Sequence, residues 1–139
     1  MIIIDTNVLS EIMRMTPSSA IVKWLAEQTR SQVFITAISE AEIYYGIELL
    51  PAGKRRAALH SAAEAIFADD FAQRILPFDS GAARAFSRIA AGRRFAGKPI
   101  GQSDAQIAAI VQVHQATLAT RNATDFENCD IRVLNPWRT

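Results

Sequence analysis

Cysteine is nearly absent from this sequence, and long apolar runs are missing altogether. Cys129 is the only cysteine among 139 residues, so the chain cannot close an internal disulfide and lacks the further thiols of a cysteine-rich zinc site. The apolar run at the amino terminus ends after residue 4, has no basic segment before it, and is too short for a signal sequence or a membrane span. We therefore expect a cytoplasmic protein with no membrane association.

Charge of one sign is also scarce. The formal net charge is only +1, so the whole molecule does not attract nucleic acid, and any such binding must come from local patches. The candidates are residues 54–56 and a stretch with five basic side chains: Arg84, Arg88, Arg93, Arg94 and Lys98. The simpler interpretation of both patches is a solvent-exposed helix face.

What the sequence does have is the composition of an ordinary folded domain. Half of its residues are hydrophobic and 21% are charged, and a chain of this size buries roughly two thirds of its unfolded surface. No repeat, low-complexity tract or linker interrupts it. The simplest organisation is one domain over residues 1–139.

Short apolar segments alternate with helical ones along the chain. Extended segments are predicted at 1–4, 33–36, 75–78, 117–120 and 131–134, and Pro77 favours an edge position for the third. Helices are predicted at 6–14, from 17–19 onward, and at 40–50, 54–71, 80–95 and 103–115. This alternation predicts an α/β fold with a mostly parallel sheet covered by helices on both faces. In such sheets ligands bind beyond the carboxyl ends of the strands.

Three acidic residues have both a structural and a functional interpretation. Asp5 directly follows the first strand, where it can cap the next helix or serve a site at the sheet edge. Glu42 lies three residues after Ser39, a spacing typical of a capping box, and Asp104 follows Ser103 in a similar pattern. Capping explains each one alone, and it is compatible with metal binding.

A fourth acid, Asp125, lies in the polar segment that follows the predicted strand at 117–120. A turn is the simplest explanation, because Asn and Asp favour turns through local hydrogen bonds. Asn122 in the same segment could instead bind a metal-bound water or orient a neighbouring carboxylate. Both residues are expected at the carboxyl edge of the sheet.

Together the acids indicate more than each does alone. Carboxylates that converge at one edge repel each other until protons or a cation relieve them. Hard oxygen ligands favour Mg²⁺ or Mn²⁺, and such a site suits phosphodiester hydrolysis. Glu42 is the candidate general base, or the group that holds the attacking water.

Four short motifs in this order resemble the PIN-domain family of VapC and FitB toxins. They are Ile4-Asp5-Thr6-Asn7-Val8-Leu9, Ser39-Glu40-Ala41-Glu42 with Tyr45-Gly46, Asp104-Ala105-Gln106-Ile107-Ala108-Ala109, and Leu118-Ala119-Thr120-Arg121-Asn122 with Asp125-Phe126. The resemblance spans nearly the whole chain and implies a Rossmann-like, three-layer fold and an endoribonuclease dependent on Mg²⁺ or Mn²⁺. It also implies a homodimer and an antitoxin that covers the active site, in an assembly that binds operator DNA through the antitoxin.

The resemblance assigns roles to the acids. Asp5, Glu42 and Asp104 match the family's acidic core, with Asp5 and Asp104 as metal ligands. Asn122 stands where some members carry aspartate, so Asp125 is our choice for the fourth catalytic acid.

Two other functions compete with this one. A phosphotransferase of the dehalogenase type also places Asp after the first strand, but it needs a second Asp two residues later, where this chain has Asn7. A non-catalytic nucleic-acid-binding subunit could retain the acidic pocket. The loss of a core acid would have favoured that alternative, and all three are present.

Overall fold

A five-stranded parallel sheet lies at the centre of the molecule, in a computed structural model that describes residues 1–138. The strands are β1 (Ile2–Ile4), β2 (Val33–Thr36), β3 (Ile75–Leu76), β4 (Thr117–Ala119) and β5 (Arg132–Leu134). Their order is β3-β2-β1-β4-β5, and each pair of neighbours is parallel. The predicted α/β class is confirmed, and the sheet is parallel throughout.

Within residues 1–138, six α-helices surround the sheet. They are α1 (Thr6–Ile12), α2 (Ser19–Ala26), α3 (Ala37–Glu48), α4 (Lys54–Ala65), α5 (Ser80–Phe95) and α6 (Gln102–Val113). Shorter helical turns occupy Arg30–Gln32, Ala123–Phe126 and Pro136–Arg138, and a π-helical turn occupies Ile66–Asp70.

The strand order reverses at β1. From β1 the chain passes to β2 and β3 on one side, and later to β4 and β5 on the other. A crevice forms beyond the carboxyl ends of neighbouring strands where such a reversal occurs, and this is where open α/β sheets bind ligands. Asp5 is the first residue after β1, and its backbone N–H extends the pairing to the carbonyl of Ala119 at 2.9 Å.

The core is divided between the two faces of the sheet. Ile3 and Leu118 point to the face covered by α5 and α6, while Ile4 and Ala119 point to the face covered by α1 to α4. Successive residues of a strand point to opposite faces, so an apolar run such as β1 serves both layers. The sheet is therefore buried on both sides, and its polar residues concentrate at the strand ends.

Several predicted helix limits were wrong, and backbone hydrogen bonds explain one of them clearly. The predicted helix over 54–71 ends at Ala65, because the chain widens into the π-helical turn, where the N–H of Phe71 donates to the carbonyl of Ile66 at 2.9 Å. The helix predicted to start at residue 40 starts at Ala37. The edge position predicted for the strand before Pro77 is confirmed.

In the part of the chain that the structure describes, every helix is too short or too polar to cross a bilayer.

Candidate active site

Asp5 is buried at the centre of the carboxyl edge, with only 4% of its surface exposed. Its Oδ1 accepts a hydrogen bond from the backbone N–H of Thr6 at 2.8 Å, which makes it the amino-terminal cap of α1. Its Oδ2 accepts from the Thr120 hydroxyl at 2.7 Å and from the Asn7 amide at 3.4 Å. The predicted capping role is confirmed, and these bonds also fix the carboxylate in one orientation.

Glu42 reaches the same edge from α3, but the predicted capping box was wrong. The cap of α3 is Thr36, whose hydroxyl accepts from the backbone N–H of Ser39 at 3.1 Å, so Ser39 lies in the first turn of the helix. Glu42 lies on the following turn, exposed, and its Oε1 accepts from the Thr6 hydroxyl at 2.8 Å. This bond ties the helix after β2 to the helix after β1.

A series of hydrogen-bonded hydroxyl groups leads from the buried end of β2 to Glu42. The Thr6 hydroxyl has one proton, which goes to Glu42, so the Ser39 hydroxyl donates to Thr6 at 2.8 Å. Ser39 in turn accepts from Thr36 at 3.4 Å, and both residues are fully buried. We call Thr36, Ser39 and Thr6 the hydroxyl relay; it holds the glutamate with a fixed pattern of donors.

Asp104 comes to the edge from the start of a helix. It lies in the first turn of α6, which is capped by Gly101, so the predicted box at Ser103 was wrong. Since α6 precedes β4, Asp104 does not follow a strand; the helix runs antiparallel to β4 and therefore starts at the sheet's carboxyl edge. The side chain is half-buried.

The charges of these acids are coupled. Burial raises the pKa of Asp104 to about 6, with further increases from the negative charges of Asp5, Asp125 and Glu42 and a decrease from Arg93. The pKa of Asp5 is also raised, mainly by burial and to a smaller extent by the negative charges of Glu42 and Asp125. The hydrogen bonds from Thr120 and Thr6 oppose this increase. The charges of Glu42 and Asp125 therefore act on both Asp5 and Asp104.

The donor set fits a small divalent cation. Among residues 1–138, no three His, Cys, Asp or Glu side chains form a complete metal-binding group. Mg²⁺ retains several waters and binds through one or two carboxylates together with substrate phosphate, so it does not need such a group. Asp5 and Asp104 offer hard oxygen ligands whose mutual repulsion a cation would relieve.

Both candidates for the fourth position, Asn122 and Asp125, lie in the segment after β4. Asp125 is exposed in the helical turn Ala123–Phe126, where its backbone N–H donates to the carbonyl of Asn122 at 3.0 Å. The backbone N–H of Asn122 donates to the Thr120 hydroxyl at 3.1 Å, which places this segment against Asp5. Of the two, only Asp125 adds to the negative charge that Asp5 and Asp104 experience.

Two kinds of site residue were missed from the sequence. Thr120 and the hydroxyl relay were not identified as functional, although a hydroxyl residue at the end of a buried strand is a usable signal. Arg93 was predicted as part of an exposed basic stretch, which was wrong: it is 7% exposed and donates to the backbone carbonyls of Asp125 and Glu127 at 2.8 and 3.0 Å.

The coupled carboxylates predict how stability depends on pH when no metal is bound. The folded state raises the pKa of Asp104 from 3.8 to about 6, so its contribution to stability is greatest below pH 3.8 and is lost as the pH rises through 6. With EDTA present, we expect this group to lower the free energy of unfolding by about 1 kcal/mol between pH 5 and 8, after allowance for its solvent exposure.

Urea unfolding at several pH values, on wild type and Asp104→Asn, measures this difference. The variant should show a flatter dependence over the same interval. If the two proteins have parallel pH profiles, Asp104 does not titrate as described.

The chain is similar to known proteins over nearly its whole length. A family model of the PIN domain matches residues 2–131. The chain is 39% identical over 137 residues to toxin FitB of Neisseria gonorrhoeae, and the matched region covers 99% of both chains. It is 36% identical over 137 residues to VapC ribonuclease Y4jK of Sinorhizobium fredii, covering 99% of this chain and 98% of that one.

Two solved structures contain a chain with the same fold. FitAB bound to a DNA fragment matches with a TM-score of 0.91 and 39% identity, covering 99% of this chain and 96% of that chain. FitAcB from Neisseria gonorrhoeae matches with a TM-score of 0.89 and 37% identity over the whole of both chains.

Proposed function

Because the chain belongs to the PIN-domain family of VapC and FitB toxins, we propose that it is a metal-dependent endoribonuclease, the toxin of a toxin–antitoxin pair. The observation that carries the proposal is the meeting of Asp5 and Glu42 at the carboxyl edge of the sheet, where both accept hydrogen bonds from Thr6, beside Asp104 in the first turn of α6. We also propose that residues 1–139 form a single PIN domain and that the protein is cytoplasmic.

Asp5 and Asp104 would hold the metal. A bound Mg²⁺ or Mn²⁺ supplies neutralising charge to the scissile phosphate and a bound water of lowered pKa. Asp5 is suited to this task because Thr120, Thr6 and Asn7 fix both of its oxygens. Preorganised ligands lose little entropy when the site is completed.

Glu42 would accept the proton of the attacking water. Its carboxylate is exposed, so substrate and water can reach it, and the hydroxyl relay orients it through Thr6. A positioned general base contributes typically 10² to 10⁴ in rate. Asp125 would act as the fourth acid, since its negative charge reaches both Asp5 and Asp104.

The partners are also proposals. Structures of similar proteins include FitAB bound to a DNA fragment and DNA-bound VapBC from Salmonella typhimurium. Here a groove of about 900 Å³ runs beside the site between α1, α3 and α4, with Ile43, Ile47 and Leu59 among its lining. It is mostly apolar and reaches Glu42, so an antitoxin segment seated in it would cover the active site. A homodimer and a larger assembly on operator DNA follow from family membership.

Cleavage of single-stranded RNA by purified, antitoxin-free protein tests the proposal. We expect cleavage with Mg²⁺ or Mn²⁺, none with EDTA, and none of a DNA oligonucleotide of the same sequence. Protein with Asp5→Asn, prepared identically, should be inactive, which excludes contaminating nuclease.

Cleavage that continues in EDTA, or is equal in the Asp5→Asn protein, would contradict the site assignment. RNA binding without cleavage under every metal condition would instead favour the non-catalytic subunit.

A further inference from the structure

Arg121 is fixed to the acidic site through its backbone. Its N–H donates to Oδ1 of Asn7 at 3.2 Å, and its carbonyl accepts from the Asn135 side chain at 3.4 Å. The same Asn7 donates through its amide nitrogen to Asp5 and to Thr120. The position of Arg121 relative to Asp5 is therefore set by direct hydrogen bonds.

The guanidinium of Arg121 lies on an aromatic ring. Its central carbon is 4.9 Å from the centre of the Trp137 ring, and the backbone N–H of Trp137 is held by Oδ1 of Asn135 at 2.9 Å. Asn135 thus fixes both the backbone of Arg121 and the platform below its side chain. Stacking on an aromatic face restricts the guanidinium while leaving its edge donors available.

Within residues 1–138, Arg121 is exposed and makes no ion pair. Its charge is also not among those that change the pKa of Asp5 or Asp104, whereas the charge of Arg93 lowers the pKa of Asp104. The guanidinium therefore does not neutralise the acids that would hold the metal. Three other arginines differ: Arg56 pairs with Glu48, and Arg74 and Arg93 donate to backbone carbonyls.

From this arrangement we infer that Arg121, stacked on Trp137, binds a backbone phosphate of the RNA next to the scissile one. The inference rests on the proposed ribonuclease function. A guanidinium binds phosphate in a bidentate manner, and one held in advance loses less entropy on binding. An RNA strand with its scissile phosphate at the acids needs cationic contacts beyond them, and Arg121 supplies one at a fixed position.

Steady-state cleavage kinetics of wild type, Arg121→Gln and Arg121→Lys test the inference. We expect Arg121→Gln to raise KM by about tenfold, the usual worth of one charge-assisted contact, with kcat changed by less than about twofold. Arg121→Lys should recover part of the loss, because it keeps the charge but not the planar fork. Arg30→Gln is the matched control and should behave as wild type, because Arg30 is exposed on the helical turn before β2, at the opposite end of the strands.

The salt dependence of RNA affinity gives an independent measure of the contact between Arg121 and phosphate. RNA binding in an Asp5→Asn background, which prevents turnover, should weaken with salt, and the slope of log K against log salt should fall by about 0.7 when Arg121 is replaced by Gln. Trp137→Leu should weaken binding less than Arg121→Gln and leave this slope unchanged. A structural role for Arg121 would lower the melting temperature without changing the slope.

The outcomes separate this inference from the proposed function. If wild type cleaves RNA and Arg121→Gln keeps its KM and salt slope, Arg121 does not bind the substrate. If Arg121→Gln weakens antitoxin binding and leaves KM unchanged, the guanidinium serves the protein partner and the inference is wrong. If wild type neither binds nor cleaves RNA, the proposed function fails and this inference fails with it.

Discussion

Asp104→Asn is expected to reduce metal-dependent RNA cleavage by about a thousandfold, since several kcal/mol of transition-state stabilisation depend on the metal site. The same substitution should make the metal-free protein more stable. Burial and the charges of Asp5, Asp125 and Glu42 raise the pKa of Asp104 to about 6, so its ionised form is unfavourable in the fold at neutral pH. Asparagine keeps the shape and removes the charge.

The expected gain in stability of the metal-free Asp104→Asn protein is small. The amino terminus of α6 favours a negative charge at residue 104 by a few tenths of a kcal/mol to about 1 kcal/mol, and this offsets part of the relief. We expect a net rise in melting temperature of about 2 to 4 °C at pH 8 in EDTA, which corresponds to about 1 kcal/mol for a domain of this size. Mg²⁺ should then raise the melting temperature of wild type and not that of the variant.

Asp69→Asn is the matched control for both measurements. Asp69 is an exposed acid on the π-helical turn after α4, and its charge contributes to neither raised pKa. Its replacement should leave activity and the response to Mg²⁺ unchanged. If Asp104→Asn lost activity and stability together, its carboxylate would be a structural group; if it kept activity, Asp104 would not belong to the site.

The sequence predicted only part of the local structure around the acids. Asp5 could be found because a charge directly after a buried strand is conspicuous. As predicted, it caps the next helix and lies at the end of the first strand. Glu42 and Asp104 stay predictions as site residues, and the capping boxes proposed for them do not exist. Local patterns of Ser and Glu also arise when a helix starts earlier, as α3 does at Ala37.

Contacts between distant residues could not be predicted. Thr120 and Asp5 are 115 positions apart, and Thr6 and Ser39 meet only because β1 and β2 are neighbours in the sheet. No local pattern encodes such a pairing. The basic stretch 84–98 shows the same difficulty, since charge alone does not distinguish a solvated side chain from Arg93, whose donors are used in the interior.

Arg93→Met is expected to destabilise the fold by about 3 kcal/mol, because it removes the buried guanidinium that donates to three part-buried carbonyls. The guanidinium of Arg93 donates to the carbonyl of Lys98 at 2.7 Å and to those of Asp125 and Glu127 at 2.8 and 3.0 Å. Methionine fills a similar volume but donates nothing. The melting temperature should fall by about 6 to 12 °C.

Arg94→Met is the matched control, since the neighbouring side chain on the same helix is exposed and should tolerate the change. Arg93→Lys should recover part of the stability through one remaining donor. Because Arg93 holds the segment that carries Asp125, Arg93→Met should also lower kcat at temperatures where the protein is folded, provided that Asp125 is the fourth acid. Equal melting temperatures for the Arg93 and Arg94 variants would show that these carbonyls find other donors and that Arg93 is not needed to hold the loop.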